Sequence, residues 1–408
     1  MKRWKKVLLA VLSLVLISQV PFAYRRYKLG RLNAAIRALE NQRRPQSNTD
    51  SLIEIKGVAH VHSFLGGHSA GTFQEIIDAA LENELKFVLM TEHPAVNFDT
   101  AAMTLRGSHA GVIFINGNEV RTSSGDRLLL FPGDQHANRS NRFSTQEVLS
   151  SRQSGLAFVA YPREFESWDA IGINGVEVYN VFSNAERINP LLMFFDGLWS
   201  YRSYPDLLFA TFYERPSNPL QKWDEEIVRT GKRSVAIAGN DSHSNIGISL
   251  NDSSGNSLVG LKLDPYARSF RLVRLHILVP GLPFQYVVFP LDEATVMNAI
   301  SAGRCFIGFD LFGDTTGFRF TAVSGGRTSV MGDEINLVND VRFRISAPLP
   351  GRIVIFKDGR EIQSQNGVAE TEFVAKERGA YRVEIYLAQL PKPISEQPWI
   401  ISNPIYVR

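Results

Sequence analysis

Three of the chain's eight histidines fall within nine residues, at His60, His62 and His68. Imidazole is the commonest protein metal ligand, because a neutral ring keeps one nitrogen lone pair free. Side chains in an extended segment repeat every second residue, so His60-x-His62 presents both rings on one face, where they can meet one cation. Gly66-Gly67 then turns the backbone so that His68 can swing back over the strand end. Further on, His93 follows Thr91-Glu92, Glu119 follows Gly117-Asn118, and Asp241 and His243 close the run Gly239-Asn240-Asp241-Ser242-His243. These seven residues supply five imidazoles and two carboxylates. Borderline divalent ions such as Mn, Zn or Fe accept that mixed set, whereas Mg or Ca would want oxygen almost throughout. Two such ions about 3.5–4 Å apart bring a bound water's pKa towards neutrality and neutralise charge on substrate oxygens, which is hydrolytic chemistry.

The elements that must hold these residues read as alternating strands and helices. Ile53, Ile55 and Val58 form a short apolar strand before His60. Phe73, Ile76, Ile77, Ala80 and Leu81 follow a helical period, with Thr72 as N-cap. Apolar strands then recur at Phe87–Met90, Val112–Ile115, Leu156–Ala160, Val176–Tyr179 and Val235–Ala238, and each ends in polar, chelating residues. That arrangement predicts βα units with a mainly parallel sheet or barrel and its site at the C-terminal strand ends. The aromatic stretch from Ala185 to Thr230, with Trp199, Tyr201, Tyr204, Phe212 and Tyr213, reads first as core packing and second as a substrate cleft. Beyond about residue 313 the pattern changes to alternating strands such as Val341–Ile345, Ile353–Phe356 and Tyr381–Tyr386. Lys357-Asp358-Gly359-Arg360 is the hairpin turn between two of them. This predicts a small all-β sandwich of immunoglobulin style.

Composition narrows the partners. Net charge is +3, but eleven of the 44 Lys/Arg and one of the 41 Asp/Glu lie in residues 1–44, leaving 33 basic against 40 acidic residues in the remainder. A net acidic body argues against nucleic acid, which needs clustered cations to displace counterions from phosphates. The lone Cys305 excludes an internal disulfide and a cysteine-based zinc cluster. Val7 to Tyr24 is an apolar run flanked by Lys2, Arg3, Lys5 and Lys6 on one side and Arg25, Arg26, Lys28 and Arg31 on the other. It predicts a signal anchor or signal peptide, with the catalytic part membrane-anchored or exported and outside the cytoplasm. Leu29 to Arg44 reads as a basic amphipathic stalk with Leu32, Ile36 and Leu39 on one face, and Pro45 to Asp50 as a polar linker.

The ordered motifs carry a resemblance. His60-x-His62 with His68, Thr91-Glu92-His93, Gly117-Asn118-Glu119, Gly175-Val176-Glu177-Val178-Tyr179-Asn180 and Gly239-Asn240-Asp241-Ser242-His243 resemble the successive motifs of the polymerase and histidinol phosphatase (PHP) superfamily. Ser301-Ala302-Gly303-Arg304 and Ser402-Asn403-Pro404-Ile405 resemble its carbaryl-hydrolase-like branch. The resemblance implies a distorted (β/α)7 barrel over residues 51–312 and a β-sandwich over 313–408, while the apolar run and its flanks give an N-terminal anchor or signal peptide over 1–24 and a stalk and linker over 25–50. Residue by residue, it implies one ion on His60, His62, Glu119 and Asp241 and a second on His68, His93 and His243, with Glu119 near both. Tyr161-Pro162 stands where the family usually has His-Pro, and Glu177 or Asn180 where a downstream ligand would be sought, so two ions are expected rather than three. Glu92, where Asp is usual, is expected to orient an imidazole from behind.

The activity this implies is hydrolysis of a phosphomonoester or phosphodiester by a metal-held hydroxide, with Glu119, Asp241 and His243 as the catalytic groups. Arg121, Arg163 and Arg304 lie beside motif residues, and their guanidinium groups would match phosphate oxygens. Two alternatives stay open: hydrolysis of a carbamate or carboxylic ester at the same centre, and a non-catalytic, surface-anchored binding protein. His109, His136 and His276 read as solvated or structural, the first two in polar loops.

Overall fold

The computed structural model describes residues 3–43, 52–185, 189–245, 247–251, 257–281 and 291–408. The predicted linker at Pro45–Asp50 and the end of the turn predicted at Pro280–Pro283 lie outside them. The apolar N-terminal run and the stretch read as a stalk form one helix, Arg3–Glu40. It is the one helix among the described residues long and apolar enough to cross a membrane. Its first part is exposed from Val7 to Val20, whereas Phe22, Leu29, Leu32, Ile36 and Leu39 are buried. The last four join the main core together with Leu207 and Ala210. The predicted amphipathic face is therefore present, but it docks on the body instead of standing free as a stalk. The reason is its spacing at i, i+3, i+7 and i+10, which lays one apolar stripe along the helix.

The body is mixed α/β, with its described strands in open sheets of fourteen, five and two strands and no closed barrel. In the large sheet the strand Leu52–Val61 runs parallel to Phe87–Met90, which runs parallel to Val112–Ile115. On its other side Leu52–Val61 is antiparallel to Arg274–Pro280, which is antiparallel to Cys305–Gly308. The five-stranded sheet orders Asn118–Arg121, Arg127–Phe131, Leu156–Ala160, Gly175–Asn180 and Val235–Gly239, the last three parallel and the first three antiparallel. Pairing is thus mixed, not mainly parallel, because hairpins and returning strands flank the parallel pairs. The runs Phe87–Met90, Val112–Ile115, Leu156–Ala160, Val176–Tyr179 and Val235–Ala238 are buried throughout, whereas in the first strand Val58 is buried and Ile53 is exposed. The two sheets meet where the site lies. Val61 bridges Ser242, and Glu92 bridges Asn118. Backbone hydrogen bonds from Asn240 N to Ala59 O and from Ser242 N to His60 O add to the first junction.

Around this frame, Thr72 caps the helix Phe73–Glu82 through a reciprocal bond with Glu75. Asp292 caps Glu293–Ser301. The large sheet continues across residue 312. Strand Pro398–Ser402 pairs with Cys305–Gly308 on one side and with Gly379–Tyr386 on the other, which leads to the ribbon of Val341–Lys357 and Arg360–Ala375. Asp358 and Gly359 sit at φ +50° and +78°. Two consecutive positive φ values give the turn the hand that matches the strand twist.

Candidate metal centre

His60 sits at φ +62°, and the register between the first two strands shifts across it. Left-handed backbone is costly for a residue with a Cβ, about 1–3 kcal/mol, and persists only where the surroundings enforce it. Asp241 at φ +47° and Tyr161 at φ +53° share the condition. Here the bonds between the two sheets enforce it. Simple alternation is thus broken at His60, and yet both rings converge: His60 Nε2 and His62 Nε2 lie 3.4 and 3.3 Å from Asp241 Oδ1. Glu119 Oε2 lies 3.2 and 3.4 Å from the same two nitrogens. His60, His62, Glu119 and Asp241 are all buried, and one ligand atom from each falls within 4.8 Å of the others.

A second such group is His62, His93 and His243. His62 stacks between the other two rings, with centroids 4.5 Å from His93 and 4.3 Å from His243. Glu119 Oε2 is 3.7 Å from His93 Nε2, so this carboxylate faces both groups. His68 is not a member of either. Its ring meets His93 edge-on at 4.9 Å on the wall of the cavity above, and His62 occupies the place expected for it.

The polar atoms around the cluster are matched except at its centre. His60 Nδ1 is 2.6 Å from Glu177 Oε1, which points Nε2 inward. Gly239 makes room for that pair, since a Cβ there would come within 1.7 Å of Glu177 Oε1. Asp241 Oδ2 accepts from Tyr161 Oη at 2.9 Å and Asn180 Nδ2 at 3.0 Å. His243 Nδ1 donates to the Asp241 carbonyl at 2.9 Å, leaving Nε2 as the free ligand. Arg127 Nη1 donates to Glu119 Oε1 at 3.1 Å and lies over the Tyr161 ring. By contrast, both ring nitrogens of His62 and Oδ1 of Asp241 are buried without a hydrogen-bond partner among the described residues. Leaving such groups unsatisfied costs about 1–3 kcal/mol each, and a cation between His62 Nε2 and Asp241 Oδ1, which lie 3.3 Å apart, would satisfy those two.

Electrostatics divides the four rings: against the opposing effect of burial, Asp241, Glu177 and Glu119 raise His60, and Asp241 and Glu119 raise His62, whereas the two outer rings are lowered. Burial, reinforced by the charge of His62, pushes His93 down to about 3 and His243 down to about 4, so both rings are neutral and offer lone pairs at pH 7. Burial alone would raise Glu119 and Asp241, but the neighbouring imidazoles outweigh it and hold both carboxyls below their usual range. Burial raises Tyr161, and the charge of Asp241 raises it further, so its hydroxyl stays a donor.

The remaining expected residues divide. Arg121 is on the wall of a cavity of about 470 Å³ that His68, His93, Arg127, Tyr161, Asp241 and His243 also line. Arg163 lines a neighbouring cavity with Glu177 and Asn180. Arg304 instead pairs with Asp333 at 3.2 Å and lines neither. Glu92 does not orient an imidazole: it accepts from Ser63 N and Oγ and from Thr104 Oγ1, fixing the chain that follows His62. His109 lies in a short strand, Gly107–His109, not in a loop, while His136 is exposed and His276 is buried elsewhere. Sequence reasoning missed Arg127. Its signal was the hairpin that pairs Arg121 with Arg127, two residues beyond Glu119 and on the same face.

No family model matches the chain, and no curated protein matches it. Among solved structures, PsfC from Pseudomonas syringae PB-5123 is similar at 11% identity and a TM-score of 0.35, over 62% of this chain and 90% of that one.

Proposed function

We propose that the chain is a metal-dependent phosphoesterase of PHP type with a dinuclear centre. The observation that carries the reading is the buried set of His62 and Asp241 atoms without partners, ringed by His60, Glu119, His93 and His243. Two ligand groups, with His62 able to serve one ion at a time and Glu119 facing both, are what suggests two ions, of the Mn, Zn or Fe class that such nitrogen-rich sets take. When bound, these ions would acidify a water and neutralise charge on the ester oxygens. The bonds between the two sheets at Val61–Ser242 and Glu92–Asn118 are what favours reading the body as a distorted (β/α)7 barrel. Alternating burial in Val341–Ile345 favours a sandwich after it.

The chain's own residues have the following parts in this reading. Glu177 holds the His60 tautomer, and Asn180 and Tyr161 hold Asp241 Oδ2, so that Oδ1 faces inward. Arg127 and Arg121 on the cavity wall receive the phosphoryl oxygens. Water oxygen adds to phosphorus as the ester P–O bond breaks; the water's proton passes to Asp241 or His243 and on to the leaving alcohol.

The test is metal analysis of the full chain in detergent, paired with hydrolysis of p-nitrophenyl phosphate and bis-p-nitrophenyl phosphate in Mn²⁺ or Zn²⁺. About two ions per chain with metal-dependent turnover is the expected result. Two ions without phosphoester turnover, but with turnover of an aryl ester or carbamate, would replace the substrate class. No bound ion and no turnover would leave the binding-protein reading.

A further inference from the structure

We infer that the substrate is an amphiphile taken from the membrane, with its ester headgroup at the cluster and one apolar chain in a cleft behind it. This rests on the hydrolase reading above and adds the substrate class and its route.

The cleft is narrow, about 70 Å³, which suits a slim chain better than a ring system. Phe182, Met193, Leu208, Phe209 and Phe212 supply most of its apolar wall, Asp196 and Asp264 also line it, and Asp241 and His243 of the candidate site belong to the same lining. A mainly apolar slot that includes the charged, chelating groups of the site matches a molecule that is apolar along its length and polar at one tip.

The position of the cleft gives the source. Met193, Asp196 and Gly197 on its wall belong to the helix Pro190–Ser200, which packs on the N-terminal helix where the apolar span ends. Phe195 meets Phe22 at 4.9 Å, Arg25 pairs with Asp196, and Trp199 Nε1 donates to Gln19 Oε1 at 3.0 Å. Leu191, Phe194 and Leu198, at i, i+3 and i+7, form a stripe on this helix that is 64%, 48% and 69% exposed. An apolar stripe left uncovered beside a membrane span is covered by lipid if it lies at the bilayer surface. The basic residues Arg25, Arg26, Lys28 and Arg31 follow the span and place this level at the headgroups. One helix therefore carries the lipid-facing stripe on one side and the cleft wall on the other.

The experiment uses the full chain in phosphatidylcholine vesicles with bound Mn²⁺, and a series of butyl, octyl and dodecyl phosphate alongside chainless p-nitrophenyl phosphate. Each methylene buried in the cleft multiplies kcat/KM by about four until the cleft is full, so a rise of at least about tenfold from butyl to dodecyl is expected. Partition into the vesicle alone could mimic that rise. Gly197→Leu separates the two, because a side chain at 197 meets nothing within 4 Å and so extends into open space on the cleft wall. It should lower the dodecyl to p-nitrophenyl ratio at least about fivefold, whereas an unchanged ratio or a flat series would overturn the proposal. If no phosphate ester is turned over, the hydrolase reading fails, and the cleft is then tested by dodecylphosphonate with a tail diazirine. Photolabel on residues 181–182 and 190–212 supports the cleft, and label confined elsewhere overturns it.

Discussion

Two buried clusters in this chain are built from the same side chains and end in opposite states. Around His276, Nδ1 is 2.8 Å from Glu54 Oε1, and Nε2 is 3.0 Å from Thr315 Oγ1 and 3.3 Å from Asp310 Oδ1. Glu54 Oε2 accepts from Gly317 N and Arg319 Nη1, and Asp310 pairs with Arg274. Every nitrogen of that imidazole is spoken for. Around His62, Nε2 faces Asp241 Oδ1 and Glu119 Oε2 at 3.3 and 3.4 Å without a hydrogen bond to either, and Nδ1 has no hydrogen-bond partner among the described residues. Both rings are buried beside two carboxylates, so composition and burial do not separate them. Saturation does: a closed hydrogen-bond network holds structure, and a buried gap of convergent lone pairs holds a place for something else.

The sharpest break of this contrast is His60→Ala or Asp241→Asn. Either should remove bound metal and lower turnover at least about a thousandfold, or about 4 kcal/mol of barrier, while far-ultraviolet circular dichroism stays unchanged. Full activity in either variant would end the two-ion proposal. Next in size is Gly239→Ala, which leaves every ligand in place but drives a methyl into Glu177 and His60. Metal affinity, measured by competition with a chromogenic chelator, should fall about 10–100-fold, as for loss of a partner that orients a ligand. Arg127→Ala should reduce kcat/KM for a phosphoester about tenfold. Arg304→Ala, whose guanidinium is committed to Asp333, should stay within about twofold.

The smallest effect on the metal centre belongs to the saturated cluster. His276→Gln should leave metal content and turnover within about twofold while lowering stability by about 3 kcal/mol in urea unfolding at pH 6. Burial alone would lower His276, but Asp310 and Glu54 outweigh it and lift the ring to about 9. A raised pKa means that the folded state holds the proton more tightly than the unfolded chain does. The stability it contributes is thus complete below about 6.5 and is lost as pH rises through about 9. That loss should be visible in the parent protein and absent from the variant; a loss that persists in the variant would show that other groups carry it.

Much of this was legible in local sequence. Each apolar run became a strand, all but the first of them buried throughout, Thr72 caps its helix, and Asp358-Gly359 turns its hairpin, because these depend on neighbours within a few residues. The site residues were legible as chelating types at strand ends, and six of the seven fall into the two ligand groups. What was hidden depends on distant partners. That His62, not His68, joins His93 and His243, and that the backbone shifts register at His60 where Ser242 and Asn240 bond to it, are both set by contacts across the two sheets. Glu177 behind His60 spans 117 residues, and Arg127 reaches Glu119 only once a hairpin has formed. The docking of Leu29, Leu32, Ile36 and Leu39 likewise needs a surface that no helical period specifies.

The pairing of Phe306 with Ser402 across one uninterrupted sheet makes the last strands a lid on an edge. A chain cut near residue 312 would leave Cys305–Gly308, itself a fully buried apolar strand, with a bare row of amide and carbonyl groups. Such edges recruit other chains, so the truncated product should appear in inclusion bodies rather than as a smaller soluble fragment. Melting of the full chain should accordingly be one concerted event for both halves. For anyone grafting this metal cradle into another protein, the transplantable module is the strand-linked whole, with its C-terminal third included.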